Sequence, residues 1–373
     1  MSLTARFHYR HSETIFATFT LFTLSPSDAT AVMGKFTITS FIREQWTTIP
    51  VPSADISDKS IVVTGSNVGL GFEAAVHFAK LRPKKLLLTS RDETKCRQTK
   101  EDIEQRYTFK DIESWPLELG SFDSVRKFAD RIEAEGFAMN AFVANAGLST
   151  MTYAKTQDGW ETSLQVNYLS TALLSILMLP HLIKTTTVEN ASRLVILSSE
   201  AHFLANKLQG VTRWFSILGK LNDEAYCTFS IMRNRYELSK LLALMFVREL
   251  ASRLPNPTPV SICAINPGFC HSRLTRSLES NPIVKLVLRV MKAMFARTTE
   301  VGSRTLVHPV VEPGERARHG RYVSCCEVAE ESDYVLSDEG KEVSRRLWTE
   351  TVEILGKVDS RVDRIISEHL LAR

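Results

Sequence analysis

The chain has 373 residues, 44% of them hydrophobic and 24% charged, with a formal net charge of +4. Those proportions describe a globular protein long enough for a full hydrophobic core, and the small charge, without Lys/Arg blocks interleaved with aromatics, argues against nucleic acid as a partner. Six cysteines (Cys96, Cys227, Cys263, Cys270, Cys325 and Cys326) form no CxxC pair, so reduced thiols and no metal site are expected.

Residues 1–57 read as an N-terminal leader and a short flanking helix. Residues 2–32 are rich in Ser and Thr, and their run IFATFTLFTL is too short and too polar to span a bilayer. The run suits either a weak targeting signal or a non-structural leader ahead of a second start at Met33. A cytoplasmic protein is expected, with organelle targeting or membrane association through the leader as the alternative.

From residue 58 the pattern alternates between apolar runs and amphipathic segments, as a parallel sheet with crossover helices requires. Strands are predicted at 60–65, 85–90, 115–119, 140–147, 193–199, 259–268 and 320–324. The runs are continuously apolar, which suits strands covered on both faces. One helix is specified in detail: Ser121 caps it, Phe122, Val125, Phe128, Ala129 and Ile132 form its apolar face, and Gly136 stops it. The fold class is therefore α/β, a single Rossmann-type doubly wound parallel sheet of about seven strands with helices on both faces. The catalytic domain is expected over 58–330, with a C-terminal helical extension over 331–373.

The first strand runs into IVVTGSNVGLG, with Gly65, Gly69 and Gly71 ahead of the helical pattern LGFEAAVHFAKL. Glycines there let the backbone turn sharply, approach a pyrophosphate and pack helix on strand, while the helix N-terminus offers free N–H groups to the anion. The spacing is T-G-x-x-x-G-x-G. Four further motifs follow at the ends of predicted strands or in the next helix: NAG (Asn145, Ala146, Gly147), VN (Val166, Asn167), SS (Ser198, Ser199) and the YxxxK of Tyr236 and Lys240. NPG (Asn266, Pro267, Gly268) closes the sixth strand.

In this order and spacing the chain resembles the short-chain dehydrogenase/reductases from about residue 58 to about 325. DGWETSLQVNYLS and RYELSKLL look most like the retinol-dehydrogenase-like branch and its fungal relatives. The resemblance implies an oxidoreductase acting on CH–OH, a biosynthetic tailoring step among the options. Its catalytic set would be Ser199, Tyr236, Lys240 and Asn167, with Ser198 the less favoured serine. The dinucleotide would be bound by Gly65, Ser66, Asn67, Gly69, Leu70 and Gly71, by Glu118 and Leu119, and by Asn145, Ala146, Gly147 and Val166. Tyr236, Lys240, Pro267, Gly268, Cys270 and Ser272 would complete that site. Asn167 corresponds to the family residue that bends its helix and carries a water linking the lysine to solvent. Two departures stand out: Ala144 precedes Asn145 where the family often has a second Asn, and Glu118 replaces the usual Asp.

The chemistry is consistent with this set. A free phenol near pKa 10 is a poor base at neutral pH, and bringing it down by about three units takes roughly 4 kcal/mol. Lys240, one helical turn from Tyr236, is expected to supply part of that as an ammonium. At the end of the second strand, LLLTSRD presents Arg91 for a 2′-phosphate, so NADP(H) is expected; Asp92 would instead mark NAD. A substrate lid is expected around 270–300, crowded by Ile283, Val284, Leu286, Val287, Leu288, Val290, Met291, Met294 and Phe295. A lipophilic alcohol or carbonyl follows, retinoid, steroid, terpenoid or polyketide-like. The same apolar helix also suits a homodimer interface or peripheral membrane contact. VTRWFSILGKLNDEAYCTF, between Ser199 and Tyr236, reads as an insertion bordering the substrate pocket. A catalytically weak nucleotide-binding sensor or scaffold is the alternative in another class.

Overall fold

The computed structural model describes residues 37–187, 190–205, 213–272 and 282–371. The leader at 1–32 lies outside the described residues, as do 273–281 of the expected lid and the side chains of Ile283 and Val284.

Eight strands form one sheet in the order β3-β2-β1-β4-β5-β6-β7-β8. They are β1 (Ser60–Val63), β2 (Lys85–Ser90), β3 (Ile112–Pro116), β4 (Ala141–Ala144), β5 (Ser192–Leu197), β6 (Val260–Asn266), β7 (Arg321–Ser324) and β8 (Glu327–Ala329). All neighbours are parallel except β7 and β8. Strand side chains alternate between two cores. Val62, Leu87, Phe142, Leu194 and Ile262 join one, whereas Ile61, Val63, Leu88, Val143, Val195 and Ile265 join the other. Both faces are covered, hence the unbroken apolar runs.

The second core is closed by α2 (Gly69–Leu81), α3 (Glu93–Arg106) and α8 (Thr299–Val311). The first is closed by α4 (Phe122–Ala134), α5 (Thr162–Lys184), α6 (Arg235–Arg253), α9 (Asp338–Val358) and α10 (Arg361–His369). Helix α5 is long and apolar enough to cross a membrane, yet it is mostly buried here as the central core helix. Two further helices, α1 (Ile38–Trp46) and α7 (Pro282–Phe295), pack together through Phe41, Trp46 and Phe295.

Helix α4 forms as its sequence specifies. The Ser121 hydroxyl accepts from Ser124 N, all five apolar-face residues are buried, and Gly136 takes φ +57°. Two expectations fail. The third strand lies at Ile112–Pro116, not 115–119, because this edge strand carries half-exposed Glu113 and Ser114 and so lacks the apolar run of a strand covered on both faces. An eighth strand is present beyond the seven expected. It returns through a two-residue turn in which Cys325 and Cys326 both have positive φ, 51° and 69°, so the usual Asn-Gly signal for such a hairpin is missing.

Glu161 heads α5 and is fully buried; its carboxylate accepts from Ser163 N and Leu164 N, both at 2.9 Å, and lies 3.5 Å from Arg235 Nε. Arg235, 1% exposed, also donates to Leu221 O at 3.0 Å and contacts Cys227 Sγ at 2.9 Å. The pair fixes the start of α6 against the start of α5. Replacing Glu161→Ala strands a buried guanidinium, so we expect a loss of about 3–5 kcal/mol of unfolding free energy, measured by urea denaturation against the native chain.

Candidate active site

Strand order reverses between β1 and β4, where their C-terminal ends part and leave a crevice. The glycine turn sits there. Gly65 and Gly69 adopt φ +67° and +65°, a region that favours glycine. A Cβ on Gly71 would lie 2.4 Å from both Gly65 O and Asn145 Nδ2, so no larger residue fits without displacing backbone. Asn145 closes the crevice floor: its Nδ2 donates to Thr64 O at 2.9 Å and Gly65 O at 3.2 Å, and its N donates to Thr64 Oγ1 at 3.0 Å. Ala146 N donates to the same hydroxyl at 3.1 Å. Ser66 faces inward, its Oγ donating to Val63 O and its N to Thr89 O. Asn67 and Leu70 remain partly exposed on the turn.

The second group converges from β4, α5, β5 and α6. Around Asn167 the helix opens into a π-turn over Gln165–Leu169, and the Asn167 side chain bridges outward. Its Oδ1 accepts from Leu148 N at 2.9 Å, and its Nδ2 donates to Leu148 O at 2.8 Å and Ser239 Oγ at 2.9 Å. Val166 is buried on the same turn. Gly147 lies so close that an added Cβ would be 3.2 Å from Asn167 Oδ1 and 3.8 Å from Lys240 Nζ. Ser198 turns away, donating to Lys240 O at 3.2 Å. Ser199 Oγ instead accepts from Ala201 N at 3.1 Å and is the group that draws the Tyr236 phenol down.

The charge balance differs from the one expected. Burial pushes the Tyr236 phenol up from its ordinary value, with Glu237, Glu200 and Cys270 adding to the rise and only Ser199 drawing it down. Lys240 is tied to the backbone beside it. Its Nζ donates to Leu197 O at 2.8 Å and stands 5.6 Å from the Tyr236 ring centroid, and burial lowers its pKa to about 8. The phenol of the chain alone is therefore a proton donor at neutral pH.

At the outer end of the crevice, Thr89 Oγ1 accepts from Gly65 N, Ser90 Oγ is buried without a hydrogen-bond partner among the described residues and Arg91 is exposed. The Asp92 carboxylate caps α3 through Lys95 N at 2.9 Å and pairs with the Lys95 ammonium. Glu118 curls back on its own turn, its Oε1 accepting from Gly120 N at 2.8 Å, while Leu119 is buried. These residues fit a dinucleotide: a side-chain-free cradle at Gly71, an exposed guanidinium and an unsatisfied hydroxyl stand along one edge.

Beyond β6, Gly268 (φ +77°) packs against Arg297 and Gln45, and Cys270 is buried with its thiol pushed up to about 12. Ser272 ends this described segment. Sequence reasoning missed a polar cluster behind it. Glu200 follows Ser199, donates its N to Asn266 Oδ1 at 3.2 Å, and keeps Oε2 buried without a partner among the described residues. Burial, then repulsion from Glu44, raises its carboxyl to about 8, against a smaller pull from Arg297. Arg297 donates to Pro267 O and Glu44 O, and Ser324 Oγ donates to Glu44 Oε2 at 2.7 Å. His202 is also buried and held near pKa 4, its Nδ1 2.8 Å from Ser199 O and its Nε2 accepting from Ser332 N. No local pattern marks this cluster, because its members come from residues 44, 200, 266, 297 and 324.

The comparisons agree with this architecture. Residues 59–211 match the short chain dehydrogenase family model. The chain is 40% identical over 314 residues to the short chain dehydrogenase/reductase dmxR8 of Cryptosporiopsis sp. (strain 8999), covering 83% of this chain and 94% of that protein. It is 33% identical over 349 residues to the short-chain dehydrogenase/reductase phmF of Phaeosphaeria nodorum, covering 93% and 98%. Two solved structures share the fold. RhlG of Pseudomonas aeruginosa, in an NADP active-site complex, has 21% identity and a TM-score of 0.54, covering 72% of this chain and 95% of its own. L-sorbose reductase of Gluconobacter frateurii, with NADPH and L-sorbose, has 16% identity and a TM-score of 0.53, covering 73% and 97%. The chain belongs to the short-chain dehydrogenase/reductases, oxidoreductases that act on CH–OH groups with NAD(P), and it has fungal relatives within that family. Among the described residues, no group of three or more His, Cys, Asp or Glu side chains is arranged to hold a metal ion.

Glu200 generates a pH-dependent prediction. A carboxyl raised to about 8 holds a proton that the unfolded chain releases near its ordinary 4.5, so its contribution to stability is full below about 4.5 and lost as pH rises through about 8. Denaturation of the native chain and of Glu200→Gln at about pH 5 and about pH 9 is expected to show the native chain losing stability relative to the variant.

Proposed function

We propose that the chain is an NADP(H)-dependent oxidoreductase that interconverts a lipophilic alcohol and its ketone or aldehyde, with Tyr236 exchanging the proton. The observation that carries this reading is the meeting of Ser199, Tyr236, Asn167 and Lys240 at the C-terminal edge of the sheet, beside the glycine turn. A bound nicotinamide supplies or accepts the hydride.

The chain's own groups do the rest. Ser199 hydrogen-bonds the substrate oxygen and holds it against the Tyr236 phenol. Because burial keeps that phenol protonated at neutral pH, it donates to a carbonyl oxygen as the carbon is reduced. Lys240 orients the ribose and, through the Asn167 π-turn, connects the site to solvent for reprotonation. Burial is the largest effect opposing phenolate formation in the chain alone, so the phenol stands ready as the proton donor. The apolar side chains of α7, Leu288 buried and Val287, Met291 and Phe295 partly so, support a lipophilic substrate.

For the cofactor, Arg91 is the group available to a 2′-phosphate. Asp92 is engaged by α3 and Lys95, which supports NADP(H) over NAD. Glu118 and Leu119 stand toward the adenine end, and Pro267, Gly268 and Cys270 toward the nicotinamide end.

Two experiments test this. Tyr236→Phe is expected to lower turnover by roughly 10² to 10⁴ with cofactor affinity nearly intact, measured on a lipophilic ketone or aldehyde identified from a substrate panel; unchanged turnover with chemistry rate-limiting rejects the proton role. Arg91→Ala is expected to weaken NADPH by roughly 10- to 100-fold and NADH little, read by fluorescence titration; equal weakening of both cofactors rejects Arg91 as the phosphate reader.

A further inference from the structure

Helix α7 has two unlike faces. Leu288 is buried and Phe295 packs against Phe41 and Trp46, whereas Leu286, Val290 and Met294, spaced i, i+4, i+8, form an outward stripe 62%, 50% and 59% exposed. Such a stripe on a helix is not needed for the core. Beside it run Lys285 and Arg289, again one turn apart, and α7 carries no acidic residue. At its C-terminal end sits α1, whose Trp46 stacks on Phe295 and is 69% exposed, and whose Arg43 lines a shallow cavity with it. The one acid of α1, Glu44, is turned inward to Ser324.

We propose that the α1–α7 face docks on the surface of a bilayer bearing anionic lipid, with the Leu286–Val290–Met294 stripe at the headgroup–acyl boundary. The combination is what that environment selects: an apolar helical stripe, cations alone along its flank and a tryptophan at the rim. A second copy of this chain is a poorer occupant. A two-fold contact through this face would set Lys285 and Arg289 against the same cations of the other copy, with no acid among the described residues of α7 to neutralise them. Arg297, two residues past α7, is bridged to Cys270 at the edge of the crevice, so docking would bring that edge toward the lipid phase. The proposal needs only the exposed face and stands apart from the reading of the reaction.

The test is co-sedimentation of the full chain with vesicles of mixed phosphatidylcholine and phosphatidylserine, and with phosphatidylcholine alone. The expected result is partition into the mixed vesicles that falls as salt is raised. Lys285→Glu with Arg289→Glu, and separately Leu286→Ser with Val290→Ser and Met294→Ser, are each expected to weaken it at least about tenfold, while cofactor titration reports an intact fold. Absence of partition at low salt overturns the proposal. So does partition that neither variant changes, which would assign lipid binding to another part of the chain. Conversion of a dimer to a monomer by the apolar variant also overturns it, because the face would then be a contact between copies.

Discussion

The site depends on how closely the turn after β1 can lie against the end of β4. Gly71 leaves no room for a side chain between Gly65 O and Asn145 Nδ2, and Asn145 fills the remaining gap with two hydrogen bonds to the carbonyls of Thr64 and Gly65. That contact sets the depth of the crevice. It also aims the N-terminus of α2 across it, since α2 starts at Gly69 with no side chain capping its first amides. The next link follows along β4: with Asn145 fixed, Gly147 comes close to Asn167 and Lys240, and a Cβ there would press on Asn167 Oδ1 at 3.2 Å.

Within this frame, burial governs the charges. The same desolvation raises the Tyr236 phenol, lowers Lys240 to about 8 and raises Glu200 to about 8, in each case disfavouring the charged form. Three groups within one neighbourhood are thus biased toward neutrality. Low local dielectric of this kind strengthens a hydrogen bond made to a reacting oxygen. It also means that proton position is decided by small local differences. Ser199 favours phenolate; Glu200, Glu237 and Cys270 oppose it. The Lys240 ammonium donates to Leu197 O and stands 5.6 Å from the Tyr236 ring centroid.

What the sequence made legible was what is local. The glycine spacing, the alternation of apolar runs, and helix α4 with its Ser121 cap and Gly136 stop each depend on residues within a turn or two of one another. The edges were less legible: β3 is shifted because an exposed strand carries Glu113 and Ser114, and β8 hides behind a Cys-Cys turn that imitates Asn-Gly. Least legible was the cluster joining Glu44, Glu200, Asn266, Arg297 and Ser324. No periodicity encodes a meeting of five distant segments, and an acid after Ser199 looks in sequence like any solvated charge.

The insertion between Ser199 and Tyr236 extends this argument to the C-terminal helices. Its helix Ile217–Asn222 is capped by Glu350 of α9, whose carboxylate accepts from Ser216 Oγ, Ile217 N and Leu218 N at 2.8–2.9 Å. Arg346 of α9 donates to Trp214 O at 2.6 Å, and at the other end Asn222 Oδ1 accepts from Glu161 N. The insertion is therefore clamped between the head of α5 and the middle of α9. Since Glu161 also holds Arg235, the residue before Tyr236, α9 is linked to the start of α6 through Glu350, the insertion helix, Asn222 and Glu161. Residues more than a hundred positions beyond Tyr236 thus belong to the support of the site, and the register of α6 is set from both sides of the chain.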